Sequence, residues 1–179
     1  GSAIDSFLIH WEQTPPGIDL IVTDRDTTSA IYHLEGNVFD DTDNSNDGII
    51  NGADCTAVGR FGSACRFDGI DDSLNIPDSA SLDATNDITL EAWIDPSSVS
   101  GQRTIVTKRQ TVGTISNYGL RINTGAIEFY YHDSTNNAHI FATSSVINVN
   151  EWAHVAAVYK SGNPASAKIF KNGVLQTAS

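Results

Sequence analysis

Asn123-Thr124-Gly125-Ala126-Ile127-Glu128-Phe129-Tyr130-Tyr131-His132 decides the fold class of this 179-residue chain. Asn-Thr-Gly is a turn signal, because Asn and Gly tolerate the backbone angles of a tight reversal. The seven residues after it alternate. Ile127, Phe129 and Tyr131 fall on one face, and Glu128, Tyr130 and His132 on the other. That period of two belongs to a half-buried strand.

The same grammar runs outward in both directions. Short runs rich in Val, Ile, Thr and aromatics are separated by Gly, Asn, Asp, Ser or Pro, and helical periodicity is nearly absent. Strands are expected at 31–34, 64–68, 73–76, 88–95, 103–108, 118–123, 126–132, 138–147, 152–160 and 167–171, with a second turn at Asn172-Gly173. Close spacing without crossover helices predicts an all-β, two-sheet antiparallel sandwich of the jelly-roll type. Residues 1–30 read as an N-terminal extension or linker, with an added hairpin as one form of it. Residues 31–179 read as the domain.

The net charge is −12, from 10 basic and 22 acidic residues. This excludes nucleic acid, whose phosphates demand clustered Lys and Arg. No run approaches the ~20 apolar residues of a membrane span, so no membrane insertion is expected. Residues 1–102 carry a net −16, and residues 103–179 a net +4. Eleven of the 17 Asp lie between Asp40 and Asp87, either as solvated turns or as ligands for a hard cation such as Ca²⁺. The stretch from Asp43 to Asp54 has the oxygen spacing of a twelve-position calcium loop, with Asp43, Asp47 and Asp54 as its carboxylates and Gly48 at position six. No helical pattern follows it, so the loop is assigned to the β-domain.

Cys55 and Cys65 stand with nine residues between them, Gly59 and Gly62 among these. Gly-rich chain can turn back and let the sulfurs meet as a disulfide, which would place the protein outside the cell or on its surface. Two unrelated thiols of a reducing compartment are the alternative.

Two further stretches carry a resemblance. One comprises Tyr32-His33-Leu34-Glu35-Gly36-Asn37 and Cys65-Arg66-Phe67-Asp68-Gly69-Ile70-Asp71-Asp72-Ser73-Leu74-Asn75-Ile76-Pro77. The other comprises Ile88-Thr89-Leu90-Glu91-Ala92-Trp93-Ile94, Glu151-Trp152-Ala153-His154-Val155-Ala156 and Lys168-Ile169-Phe170-Lys171-Asn172-Gly173. Together, over roughly 31–175, they resemble the laminin-G-like jelly-roll domains of the concanavalin A-like lectin/glucanase superfamily. The resemblance implies a secreted or surface module that binds glycans or other extracellular partners, commonly with a structural calcium. In that family two more strands follow the Asn-Gly turn, whereas this sequence ends at Ser179. The sheet is therefore expected to be completed by the runs at 7–11 and 18–22 or by a partner chain, unless the chain is a fragment.

Catalysis finds no support in the sequence. Glycoside hydrolysis needs paired carboxylates across the scissile bond, yet Glu12, Glu35, Glu91, Glu128 and Glu151 are scattered singly. Binding is the better reading: aromatic faces suit the apolar side of a pyranose, and polar side chains its hydroxyls. The expected ligand residues are Tyr118, Arg121, Tyr130, His132 and His139, with Lys108 and Arg109 at the rim. Trp93 and Trp152 read as core anchors. The rival is a structural or protein-interaction domain of an adhesin with no sugar site.

Overall fold

Tight turns and alternation build the molecule as expected. Thr124 and Gly125 both take positive φ (50° and 82°), as do Asn172 and Gly173 (50° and 75°), the backbone that joins right-twisted strands through two residues. The computed structural model describes residues 6–8, 28–84, 87–109, 116–133, 136–160 and 167–177, and of 6–8, 109, 116 and 117 the backbone alone.

The strands in chain order are β1 (Ser6–Leu8), β2 (Ile49–Asn51), β3 (Asp54–Val58), β4 (Ser63–Arg66), β5 (Ser73–Asn75) and β6 (Ile88–Ile94). They continue as β7 (Gln102–Arg109), β8 (Ser116–Asn123), β9 (Ala126–His132), β10 (Ala138–Ser145), β11 (Ala153–Tyr159), β12 (Lys168–Lys171) and β13 (Val174–Gln176). The only helical element among the described residues is one 3-10 turn, Ala80–Leu82. One sheet has seven strands in the order β13-β12-β11-β6-β1-β4-β3, and the other four in the order β10-β9-β8-β7. A small ribbon pairs β2 with β5. Every strand pair is antiparallel.

Alternation places the core between the sheets. Leu120 and Ile122 of β8 and Ile127 and Phe129 of β9 are buried, as are Ala92 and Ile94 of β6 and Val155, Ala157 and Tyr159 of β11. Each fully buried Ile or Leu stabilises by about 1.5–3 kcal/mol relative to exposure. The layers also meet through rings. Tyr131 and Tyr159 lie 4.5 Å apart with their hydroxyls bonded at 3.0 Å, and Phe129 stands 6.0 Å from Tyr159.

The structure corrects the expected strand at 31–34. Only one bridge forms there, Tyr32 to Asp40. Leu34 takes φ 57°, uncommon for a residue with a Cβ, and this kink ends the extended run. The same kink leaves Leu34 1% exposed in the core, and that burial offsets the strain. Four strands were not anticipated as drawn. The sheet strand Ser6–Leu8 lies between β4 and β6, with Phe7 opposite Cys65 and Ile94 and Leu8 opposite Trp93. The remainder of the run at 7–11, and all of 18–22, lies outside the described residues. β2 and β13 are short and mostly exposed, so they show little alternation, while β3 alternates in burial but carries Val58 on its exposed side.

Cys55 and Cys65 form the expected disulfide across β3 and β4, beside the Asp54–Arg66 register pair. Phe67 is buried. The following turn is braced by Asp68 and Asp72. Asp68 Oδ1 accepts the Ile70 and Asp71 amides, and Asp72 Oδ2 accepts the Asp68 amide at 2.7 Å.

Candidate binding face

The outward face of the four-stranded sheet carries the residues that alternate away from the core. In register, Arg121 lies opposite Glu128, and Gly119 opposite Tyr130. A Cβ on Gly119 would overlap the Tyr130 ring, so glycine alone lets that ring lie flat across β8. Its hydroxyl thereby reaches Thr107 Oγ1 on β7 at 2.9 Å. Arg121 closes the arrangement. Its Nε donates to Glu128 Oε2 at 2.6 Å, its guanidinium carbon lies 4.8 Å from the Tyr130 ring centroid, and Nη1 reaches Gln102 at 3.5 Å. Asn123 donates to the other Glu128 oxygen at 2.8 Å. Glu128 and Tyr130 are each only 8% exposed, so the carboxylate is buried but bonded on both oxygens, as a buried charge requires.

The five expected ligand residues divide between two faces. Arg121, Tyr130 and His132 share the outward face. Tyr118 and His139 lie opposite Tyr131 in register, on the core side. Tyr118 donates to the Leu82 carbonyl at 3.0 Å, and burial raises its phenol above the ordinary value. His139 stacks on Tyr131 at 4.8 Å and bonds Asp133 at 2.8 Å. His132 Nδ1 is buried without a hydrogen-bond partner among the described residues. Lys108 is spent as a clamp on Asp78 and Asp83. Burial draws its ammonium pKa down, but the hydrogen bonds and charges of both carboxylates outweigh that and leave it raised. The Arg109 side chain lies outside the described residues.

The three expected calcium ligands do not converge. Asp47 Oδ1 accepts the Asp40 amide, and Asp54 Oδ1 accepts the Thr56 amide and hydroxyl. Those Thr56 bonds, the hydroxyl first, hold the Asp54 carboxyl below its usual range. Asp43 is exposed, and strand β2 runs through the middle of the segment and keeps it extended. The loop is organised from within by Asp40, whose two oxygens accept from Ile31, Thr42 and Asn46.

A different acidic group does converge. Among the described residues, one set of three carboxylates has oxygens within 4.8 Å of one another: Asp68, Asp71 and Asp72. Asp71 accepts no hydrogen bond from the described residues, and Asp68 and Asp72 each keep one oxygen clear of the turn's amides. No basic side chain among the described residues pairs with them. Three hard oxygens without a neutralising partner are the donor set Ca²⁺ favours. The local signal was Asp-Gly-Ile-Asp-Asp, which reads first as a braced turn.

Sequence reasoning also missed an aromatic group on the outward face of the seven-stranded sheet. Trp93, expected as a core anchor, is partly buried and packs against the core cluster, as does Trp152, but it stands on the outward-alternating side of β6 with His154, its register partner. The alternation of Glu91 and Trp93 against buried Ala92 and Ile94 was the available signal.

A laminin G family model, described as concanavalin A-like lectin/glucanases superfamily, matches residues 68–179. No curated protein and no solved structure matches the chain.

Proposed function

The chain belongs to the laminin-G-like group of the concanavalin A-like lectin/glucanase superfamily, and from that premise we propose that it is a non-catalytic module binding carbohydrate or a surface glycoconjugate outside the cell. The observation that carries this reading is Arg121. Glu128 and Tyr130 fix its guanidinium before any ligand arrives, while its Nη2 hydrogens bond nothing among the described residues. A planar cation already ordered, with Asn123 and Gln102 beside it, meets sugar hydroxyls without a further entropy cost. Tyr130 supports Arg121 from below and offers little ring of its own.

Absence of catalysis is supported by the carboxylates. Glu128 is closed by Arg121 and Asn123, and Glu91 sits on the other sheet, so these two do not flank one bond. The disulfide supports an oxidising compartment. A structural Ca²⁺ would be held by Asp68, Asp71 and Asp72, where it would neutralise three neighbouring carboxylates at the turn.

A glycan array run with and without chelator tests the proposal. Signals lost on Arg121→Ala support it, and a blank array sinks it. If calcium binds, chelator lowers the Tm, because a ligand at 100 times its Kd stabilises by about 2.7 kcal/mol. An unmoved Tm removes the calcium. One observation favours a protein-interaction role instead: Val174 and Leu175 stand exposed on edge strand β13, where another chain could pair.

A further inference from the structure

The outward aromatic group on the seven-stranded sheet is unused by the Arg121 face. The rings of Trp93 and His154 lie 5.4 Å apart, and His154 Nε2 stands 3.6 Å from the Glu91 carboxylate. The turn between β3 and β4 folds over them. Phe61 meets Trp93 edge-on at 5.6 Å, and the Arg60 guanidinium lies 5.5 Å from Trp93 and 5.6 Å from Phe61. That turn is rigid at its root, where Gly59 donates to the Gly62 carbonyl at 2.9 Å and the Cys55–Cys65 disulfide crosses the hairpin. A contact serving stability alone would bury the ring it brings, yet Phe61 stays 41% exposed.

We propose that this group is a second carbohydrate-binding surface, taking a neutral pyranose. Phe61 and the exposed part of Trp93 meet the apolar face of the sugar ring, and Arg60 and Glu91 hydrogen-bond its hydroxyls. The chemistry of the cluster selects that ligand. A guanidinium, an imidazole and a carboxylate sit within one small patch, so its charge largely cancels and favours a neutral ligand rich in hydroxyls. Lying on the opposite sheet from Arg121, the surface makes the module bivalent, able to hold two sugar chains at once.

The test uses the full chain against immobilised neutral gluco-, manno- and galacto-oligosaccharides, with affinities measured for Phe61→Ala, Arg60→Ala and Arg121→Ala. Phe61 and Arg60 are exposed turn residues, and melting curves for each variant verify the fold. Two neutral-sugar sites per chain, one weakened about tenfold by Phe61→Ala and by Arg60→Ala and the other lost only in Arg121→Ala, support the second surface. Loss confined to Arg121→Ala overturns it and leaves the first face standing. No neutral probe bound by the intact protein also overturns it, as does a protein ligand showing the same Phe61 dependence without sugar. Sugar binding that depends on Phe61 but not Arg121 would instead sink the first face alone.

Discussion

Gly119 decides where Tyr130 can lie, and its backbone angles are not the reason, since it does not take positive φ. Space is the reason: a methyl group would displace the ring above it. Gly119→Ala should therefore cost about 1–3 kcal/mol as overpacking, and it should release Arg121 from its support. Differential melting measures the first effect and loss of array signal the second. A variant as stable as wild type would show that the ring does not rest there. Arg121→Ala is the harsher change, because it strands the Glu128 carboxylate, 8% exposed, with Asn123 alone. A cost of about 3 kcal/mol is expected. Arg121→Ala combined with Glu128→Gln should recover much of it, since the uncompensated charge is then gone. If the double variant melts no higher than the single one, burial of the charge is not the source of the loss.

The β3–β4 hairpin depends on its crosslink more than on its strands. Each strand is short, and β3 buries little beyond Cys55. Closing a loop of about ten residues restricts the unfolded chain by roughly 2–3 kcal/mol, so Cys55→Ser with Cys65→Ser should lower stability by that amount in denaturant melts. Its effect should also appear at a distance, as a red shift of Trp93 emission when Phe61 and Arg60 loosen above it. An unchanged spectrum would detach the turn from Trp93. Elements of this kind were the least legible in the sequence. The Ala126–His132 strand is readable to the residue because Ile127, Phe129 and Tyr131 alternate with Glu128, Tyr130 and His132 in sequence and its turn is a two-residue Thr-Gly type, although Glu128 and Tyr130 are buried as well. β2 and β13 lie at exposed edges, so their side chains carry no alternation to read. The strand expected at 31–34 fails because Leu34 gains more by kinking into the core than by extending. Site residues divide for the same reason. Alternation groups Tyr130 with His132, and on β8 Tyr118 stands three residues from Arg121 and so on the opposite face; the face of His139 is set by the β9–β10 register, which alternation within one strand does not show. The acidic group at Asp68, Asp71 and Asp72 was hidden because a braced turn and a cation site use the same residues.

The two sheets are joined by neutral phenols, which makes the fold's pH limit an alkaline one. Burial first, then the Tyr159 hydroxyl, pushes the Tyr131 phenol up to about 12. Burial also raises Tyr118, and burial with the nearby Asp40 and Asp47 charges raises Tyr32. A phenol whose folded pKa exceeds its unfolded value of about 10 contributes stability fully below that value and loses it as pH rises through the folded one. Lys108, raised by Asp78 and Asp83 against the pull of burial, acts in the same direction. Asp78 is held below its usual range first by the Lys108 hydrogen bond, so its contribution persists above about pH 4 and disappears only in acid. Tm should accordingly hold from about pH 5 to pH 10 and fall steeply from there toward pH 12. Tyr131→Phe should flatten part of that fall, since it keeps the ring packing and removes the ionising group. Phenolate absorbance gives the independent measure, with at least three of the five tyrosines ionising above the ordinary range and only as the sheets separate. All five titrating together near pH 10 while the protein stays folded would mean that the layers are not in contact at Tyr131 and Tyr159, and the packing described for the core would have to be abandoned.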